Sequence, residues 1–315
     1  MSLVSAFTTA IAPILGITGV GYLLGTRFDI EVESVNTVAL YFFVPALVFH
    51  SLVTTDLGGR AVASLSVGVV AYVFAMMTLG FGASKILGEP RSIASVVVLS
   101  SAFPNSGFIG VPLSEFAFGE VGRTTAVLFL TVQNLLVYTL GVYVASSGTA
   151  DTRESLIEIL RLPLIYAVVA AVVVRYLGVL PSDSVMETVR LVGDASIPLM
   201  LTVLGVQLVD VDLGRTSPSR IALPTALKLL VAPAVGLVIA LGVGFEDSRV
   251  ADVFVLESAT PAAIIPLALT IAYSDSGETD GVSLSEYMST VILVTTVGSI
   301  VTLTLIIAFL KSGLL

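Results

Sequence analysis

"SAFPNSGFIGVPLSEFAFG" (Ser101–Gly119) interrupts an otherwise hydrocarbon-like run with two prolines, three glycines and one asparagine. An unpaired backbone group in a bilayer costs several kcal/mol, so a spanning helix breaks only where the freed groups are satisfied or used. A break exposes N–H groups at the start of the following half-helix and C=O groups at the end of the preceding one. Where these face a cavity they form a polar site without any charged side chain. Asn105 or Ser106 is placed to cap the second half, and Gly107 lets a ligand approach the backbone. The competing reading is a proline kink healed by neighbouring hydroxyls or water.

The surrounding chain is that of an integral membrane protein. Of 315 residues, 56% are hydrophobic and 12% charged, against roughly 25% charged in a soluble domain. Six uncharged runs reach the ~20 residues a spanning helix needs: Met1–Thr26, Ser34–Thr55, Ala61–Ser84, Ser92–Ser114, Thr124–Ala150 and Tyr287–Leu310. Four more carry a few charges: Ile159–Leu180, Thr188–Leu208, Ile221–Gly244 and Ala251–Tyr273. Met1–Thr26 lacks a basic start and is too long for a signal peptide, so it reads as the first of ten spans. With no cysteine and one histidine, His50, neither a disulfide nor a protein-built metal site is expected, and no cofactor. The net charge of −9 is expected to come from solvated loops, with no nucleic-acid partner.

Helix breakers recur at matching ranks. Pro45 and Pro198 mark the second and seventh spans, 153 residues apart; Pro104 and Pro261 mark the fourth and ninth, 157 apart. Pro112 and Pro266 follow each of the latter pair. This predicts an all-α fold of ten transmembrane helices in two five-helix repeats, residues 1–150 and 151–315. Because five is odd, the second copy enters the membrane inverted, as in secondary transporters whose site lies where broken helices meet near the midplane. Basic residues divide seven (Arg27, Lys85, Arg91, Arg153, Arg161, Arg215, Arg220) against five (Arg60, Arg123, Arg175, Arg249, Lys311), which places both termini outside a cell membrane.

In the ninth span, "TPAA" reads as Thr260 the N-cap and Pro261 the first helical residue. Two half-helix N-termini at the midplane would attract a carboxylate. Charges inside spans are functional candidates. Glu257, four residues before Pro261, is the candidate for coupling to a proton or cation; it could instead pair with Lys228. Arg190 and Asp194, at i,i+4, read as a structural pair, while Arg161 and Arg175 near helix ends read as snorkelling. Gln133 and Asn134, with Tyr138 a turn onward, put amides deep in the fifth span, where they need a neighbouring helix or a substrate.

"NTVALYFFVPALVFHSL" (Asn36–Leu52), "PNSGFIGVPL" (Pro104–Leu113), "QNLLVYTL" (Gln133–Leu140) and "PAAIIPLAL" (Pro261–Leu269) together resemble the auxin efflux carrier family, which includes plant auxin exporters and bacterial malate or malonate permeases. The resemblance implies a fold like that of sodium/proton antiporters and bile-acid symporters, with the two broken helices crossed. It implies a dimerising scaffold, residues 1–55 and 155–209, and a mobile transport domain, 61–150 and 219–311. It also matches Asn105 to the family's crossover asparagine, Gln133 and Tyr138 to its fifth-span polar residues, and Pro112 and Pro266 to its crossover prolines. The link Ser146–Glu154 is short where plant members carry a long hydrophilic loop.

The expected activity is export of a small organic anion, an indole carboxylate or a dicarboxylate such as malate, by an elevator motion. The alternative is a sodium- or proton-coupled symporter or antiporter. An intramembrane aspartyl protease would need a partner for Asp194, for which only Asp252 offers, and a serine protease would have to use His50, so no enzyme is expected.

Overall fold

The structure is a computed structural model and describes residues 3–55, 57–146, 160–210, 218–273, 278–279 and 282–312. The repeat boundary at 150/151 and part of the acidic loop Ser274–Glu286 lie outside the described residues. Among the described residues the regular structure is helical apart from one antiparallel ladder, Glu278–Thr279 with Val282–Ser283, and an isolated bridge. In chain order the helices are α1 (Leu3–Arg27), α2 (Val32–Thr54), α3 (Gly59–Ile86), α4 (Arg91–Ala102), α5 (Ser106–Ala145), α6 (Pro163–Leu177), α7 (Asp183–Gln207), α8 (Arg220–Val243), α9 (Ser248–Ala259), α10 (Ile265–Tyr273) and α11 (Leu284–Leu310). Seven of them, α1, α2, α3, α5, α7, α8 and α11, are long and apolar enough to cross a membrane.

α5 is not one rod. Gly119 sits at φ 68°, ψ −146°, a conformation open essentially to glycine alone, and reverses the chain there. Ser106 and Gln133, 27 residues apart, are hydrogen-bonded at 3.1 Å; in a straight helix they would be separated by ~40 Å. The two arms therefore lie antiparallel, residues 106–118 continuing α4 beyond its break and 120–145 returning.

Proline explains most of the local irregularity. Of five described π-helical segments, four end two residues before a proline: Phe7–Ile11 before Pro13, Ala39–Phe43 before Pro45, Ser106–Gly110 before Pro112, and Leu227–Val231 before Pro233. The ring clashes with the carbonyl four residues back and cannot donate to it, and a widened turn relieves both faults without ending the helix.

The helices pack in two groups. α1, α2, α6 and α7 lie mainly against one another, and α3, α4, α5, α8, α9, α10 and α11 likewise. In the first group α1 and α7 touch backbone to backbone. A Cβ on Gly21 would strike the Thr202 backbone, and one on Gly205 would strike Thr18 and Tyr22. Small residues at such crossings substitute close van der Waals contact for a hydrophobic drive that lipid does not supply.

Candidate functional site

The two interrupted stretches meet. Phe103–Asn105 and Thr260–Ile264 are unwound, and Pro104 pairs with Ala262 in an isolated antiparallel bridge. The Asn105 N–H donates to the Pro261 carbonyl at 2.8 Å, and the Ala263 N–H to the Phe103 carbonyl at 3.0 Å. The Ala262 N–H donates to Thr295 Oγ1 of α11 at 3.2 Å. Pro104 and Pro261 themselves bring no N–H, so the crossing contains fewer donors that need a partner in the hydrocarbon.

Gln133 braces this crossing from the return arm of α5. Its Nε2 donates to the Pro104 carbonyl at 2.9 Å and its Oε1 accepts from Ser106 Oγ at 3.1 Å. The Asn105 side chain caps the arm that follows, its Oδ1 accepting from the Phe108 N–H at 3.3 Å. The N–H of Ser106 is taken by the Pro104 carbonyl. Gly107, next in the first turn, has no intrahelical acceptor for its own N–H.

A cavity of about 330 Å³ lies against the crossing, between the two packing groups. The crossing contributes Pro104–Phe108 and Ala263–Ile265, and the return arm Leu130, Gln133, Asn134 and Tyr138. The facing wall is Asn36, Leu40, Tyr41 and Val44 of α2, Leu162–Leu164 at the start of α6, and Met200 of α7. None of these lining residues is charged. The wall is mostly apolar, yet three of its amide atoms are buried without a partner: Asn105 Nδ2, Asn36 Oδ1 and Asn134 Oδ1. Asn105 and Asn134 are only 3% and 8% exposed. A buried, unsatisfied donor costs about 1–3 kcal/mol, a cost that a ligand's acceptor removes.

Of the residues singled out in the sequence, Asn105, Ser106, Gly107, Gln133, Asn134 and Tyr138 line this cavity, with Pro104. Thr260 and Pro261 do not, and the reading of Thr260 as an N-cap is corrected: Thr260 ends α9, its N–H and Oγ1 both donating to the Glu257 carbonyl. The next helix begins five residues later, at Ile265, because Pro261–Ala263 stay extended to pair with Phe103–Asn105. Pro112 and Pro266 lie within the first turns of helical stretches rather than at the unwound segments.

Glu257 and Lys228 are both fully buried but do not form an ion pair. Glu257 lies against the backbone of Gly110, and its Oε1 accepts from Ser114 Oγ at 2.7 Å while Oε2 has no partner. Lys228 instead donates to Tyr72 and to the Ser258 carbonyl. Arg175 does not snorkel freely: its Nη1 donates to the carbonyls of Leu52 and Thr55 at 3.0 and 2.6 Å, closing the end of α2. Sequence reasoning missed Asn36 and Met200 as cavity residues, because what brings α2 and α7 to the crossing is long-range packing.

The chain matches the family described as membrane transport protein, over residues 6–153 and 149–307. The chain belongs to this family, that of the auxin efflux carriers. It is a multi-pass membrane protein. An "Uncharacterized transporter" of Methanothermobacter thermautotrophicus is 25% identical over 298 residues, covering 90% of this chain and 94% of the relative. A protein of Rhizobium meliloti named "Putative malonate transporter" is 24% identical over 321 residues, covering 98% and 97%. The "Uncharacterized transporter YfdV" of Escherichia coli is 23% identical over 293 residues, covering 89% and 92%.

Proposed function

We propose that this membrane transport protein exports a small organic anion, held by one carboxylate at the crossing, in an elevator-type cycle. The observation that carries the reading is the buried, unpartnered Nδ2 of Asn105 on a cavity with no charged wall, beside the Gly107 N–H at a helix start. Two inverted five-helix repeats, 1–150 and 151–315, account for the paired breaks. The group of α1, α2, α6 and α7 would be the scaffold, on which two copies dimerise, and the other group would carry the substrate past it. Both termini lie outside the cell membrane on this reading. Malonate, from the name of the Rhizobium relative, malate and indole acetate are the first substrates to try.

The membrane potential alone drives an anion outward, by about 2.3 kcal/mol per charge per 100 mV. Proteoliposomes loaded with radiolabelled malonate, malate or indole acetate, and clamped with valinomycin and potassium, test this. Efflux that accelerates with an inside-negative potential is expected; efflux indifferent to the potential would overturn uncoupled export. The second reading, coupling to a proton or sodium ion, is favoured by one feature: Glu257 is fully buried beside the crossing with one carboxylate oxygen unpartnered.

A further inference from the structure

We propose that the ion pair between Arg123 and Asp194 is a latch that closes the Gly119 end of the cavity and has to open before a ligand can leave on that side. The proposal rests on the carrier reading above.

Arg123 stands four residues past the Gly119 reversal on α5, and Asp194 on α7, so the pair joins the two packing groups. Arg123 Nη1 lies 2.7 Å from Asp194 Oδ1, with the Arg123 side chain 10% exposed. The second oxygen of Asp194 accepts from Arg190 Nη1 at 3.0 Å, and Arg190 is itself gripped by Glu187 at 2.6 Å. Glu115 Oε1 stands 3.8 Å from the same Arg123 Nη1. Asp194 is thus fixed by its own helix, while its strongest partner belongs to the opposite group. A pair internal to one body would survive a sliding motion, but this one has to break.

Two helices running in opposite directions place the pair at one end of a path. Along α7 the order is Asp194, then Met200 in the 330 Å³ cavity, then Leu204 and Gln207 in a second cavity of about 490 Å³. Along α2 the order is reversed: Val32 lines the second cavity and Asn36–Val44 the first. Six helical residues separate Asp194 from Met200, about 9 Å. Ile264 lines both cavities and is a shared wall between them. On the far side of that wall Gln207, Ser285 and Glu286 give the second cavity a polar mouth. One end of the central cavity therefore points toward charges that span the two groups, and the other adjoins the second cavity across a wall to which Ile264 contributes.

The chain has no cysteine, so Met200→Cys introduces the sole thiol. Vesicles of both orientations are treated with a membrane-impermeant sulfonate-bearing methanethiosulfonate. Expected is labelling from both faces, slower from the Gly119 face. Asp194→Asn, and independently Arg123→Gln, should raise the Gly119-face rate on the order of fivefold, the equivalent of about 1 kcal/mol. The exchanged pair Arg123→Asp with Asp194→Arg should return it to the starting value. Labelling from both faces that none of these variants alters would overturn the latch and leave the carrier reading standing. Labelling from one face alone in every variant would overturn the carrier reading, and the latch with it.

Discussion

Lys228 Nζ lies 3.1 Å from the Tyr72 hydroxyl, and both donate to the Ser258 carbonyl, at 3.3 and 3.0 Å. All three residues are fully buried, on α8, α3 and α9. A buried amine that loses an acceptor keeps its demand for a partner, whereas deleting the amine removes the demand. Tyr72→Phe is therefore expected to cost about 2 kcal/mol, read as a drop of several degrees in thermal unfolding in detergent. Lys228→Met is expected to be neutral or stabilising in the same assay; a Lys228→Met protein less stable than Tyr72→Phe would contradict this account.

Asn105→Asp separates capping from ligand binding. Aspartate keeps the capping Oδ1 and suits a helix N-terminus, while its carboxylate is desolvated at a position only 3% exposed, so the fold should be kept and unfolding without ligand should cost about 1–3 kcal/mol. The variant lacks the Nδ2 donor and places a negative charge in a cavity that otherwise has none. Affinity for whichever carboxylate stabilises the wild type should fall by about 10- to 100-fold or more, measured as loss of ligand-induced thermal shift. Undiminished stabilisation would move the anion away from Asn105.

Glu257→Gln preserves the acceptor that Ser114 uses. Under uncoupled export, the pH and sodium dependence of efflux should match that of the wild type. A profile that flattens in the variant would favour the coupled reading instead.

Two glycines of the α1–α7 layer should respond in opposite ways. Gly205→Ala forces a methyl into the backbone of Thr18 and Tyr22 and should lower thermal stability markedly, by 2 kcal/mol or more on the order-of-magnitude scale of overpacked cores. Gly19→Ala meets no atom within 4 Å and should gain about 0.5–1 kcal/mol from helix propensity. The two melting temperatures, measured side by side, check the crossing.

What is legible in the sequence is local. Pro104 and Pro261 announced breaks, because a missing N–H and a ring clash act within one turn. Asn105 announced a cap for the same reason. The placement of Thr260 failed because its local pattern, hydroxyl then proline, suits a helix start as well as a helix end followed by an extended residue. The choice between them was made by Phe103–Asn105, more than 150 residues away, through two backbone hydrogen bonds. Arg190 and Asp194 were readable as neighbours at i,i+4, but the stronger bond from Asp194 to Arg123 was not, since it depends on where α5 turns.

The amino-acid sequence alone determined that this chain lives in lipid and that its helices are interrupted at defined points. Both follow from composition and from proline, which act over a few residues at a time. Only the tertiary structure decided that the interruptions pair with each other, that Glu257 turns to Ser114 rather than Lys228, and that α2 and α7 close a cavity over Asn105. Those outcomes rest on hydrogen bonds and close packing between distant segments, which short-range preference does not encode.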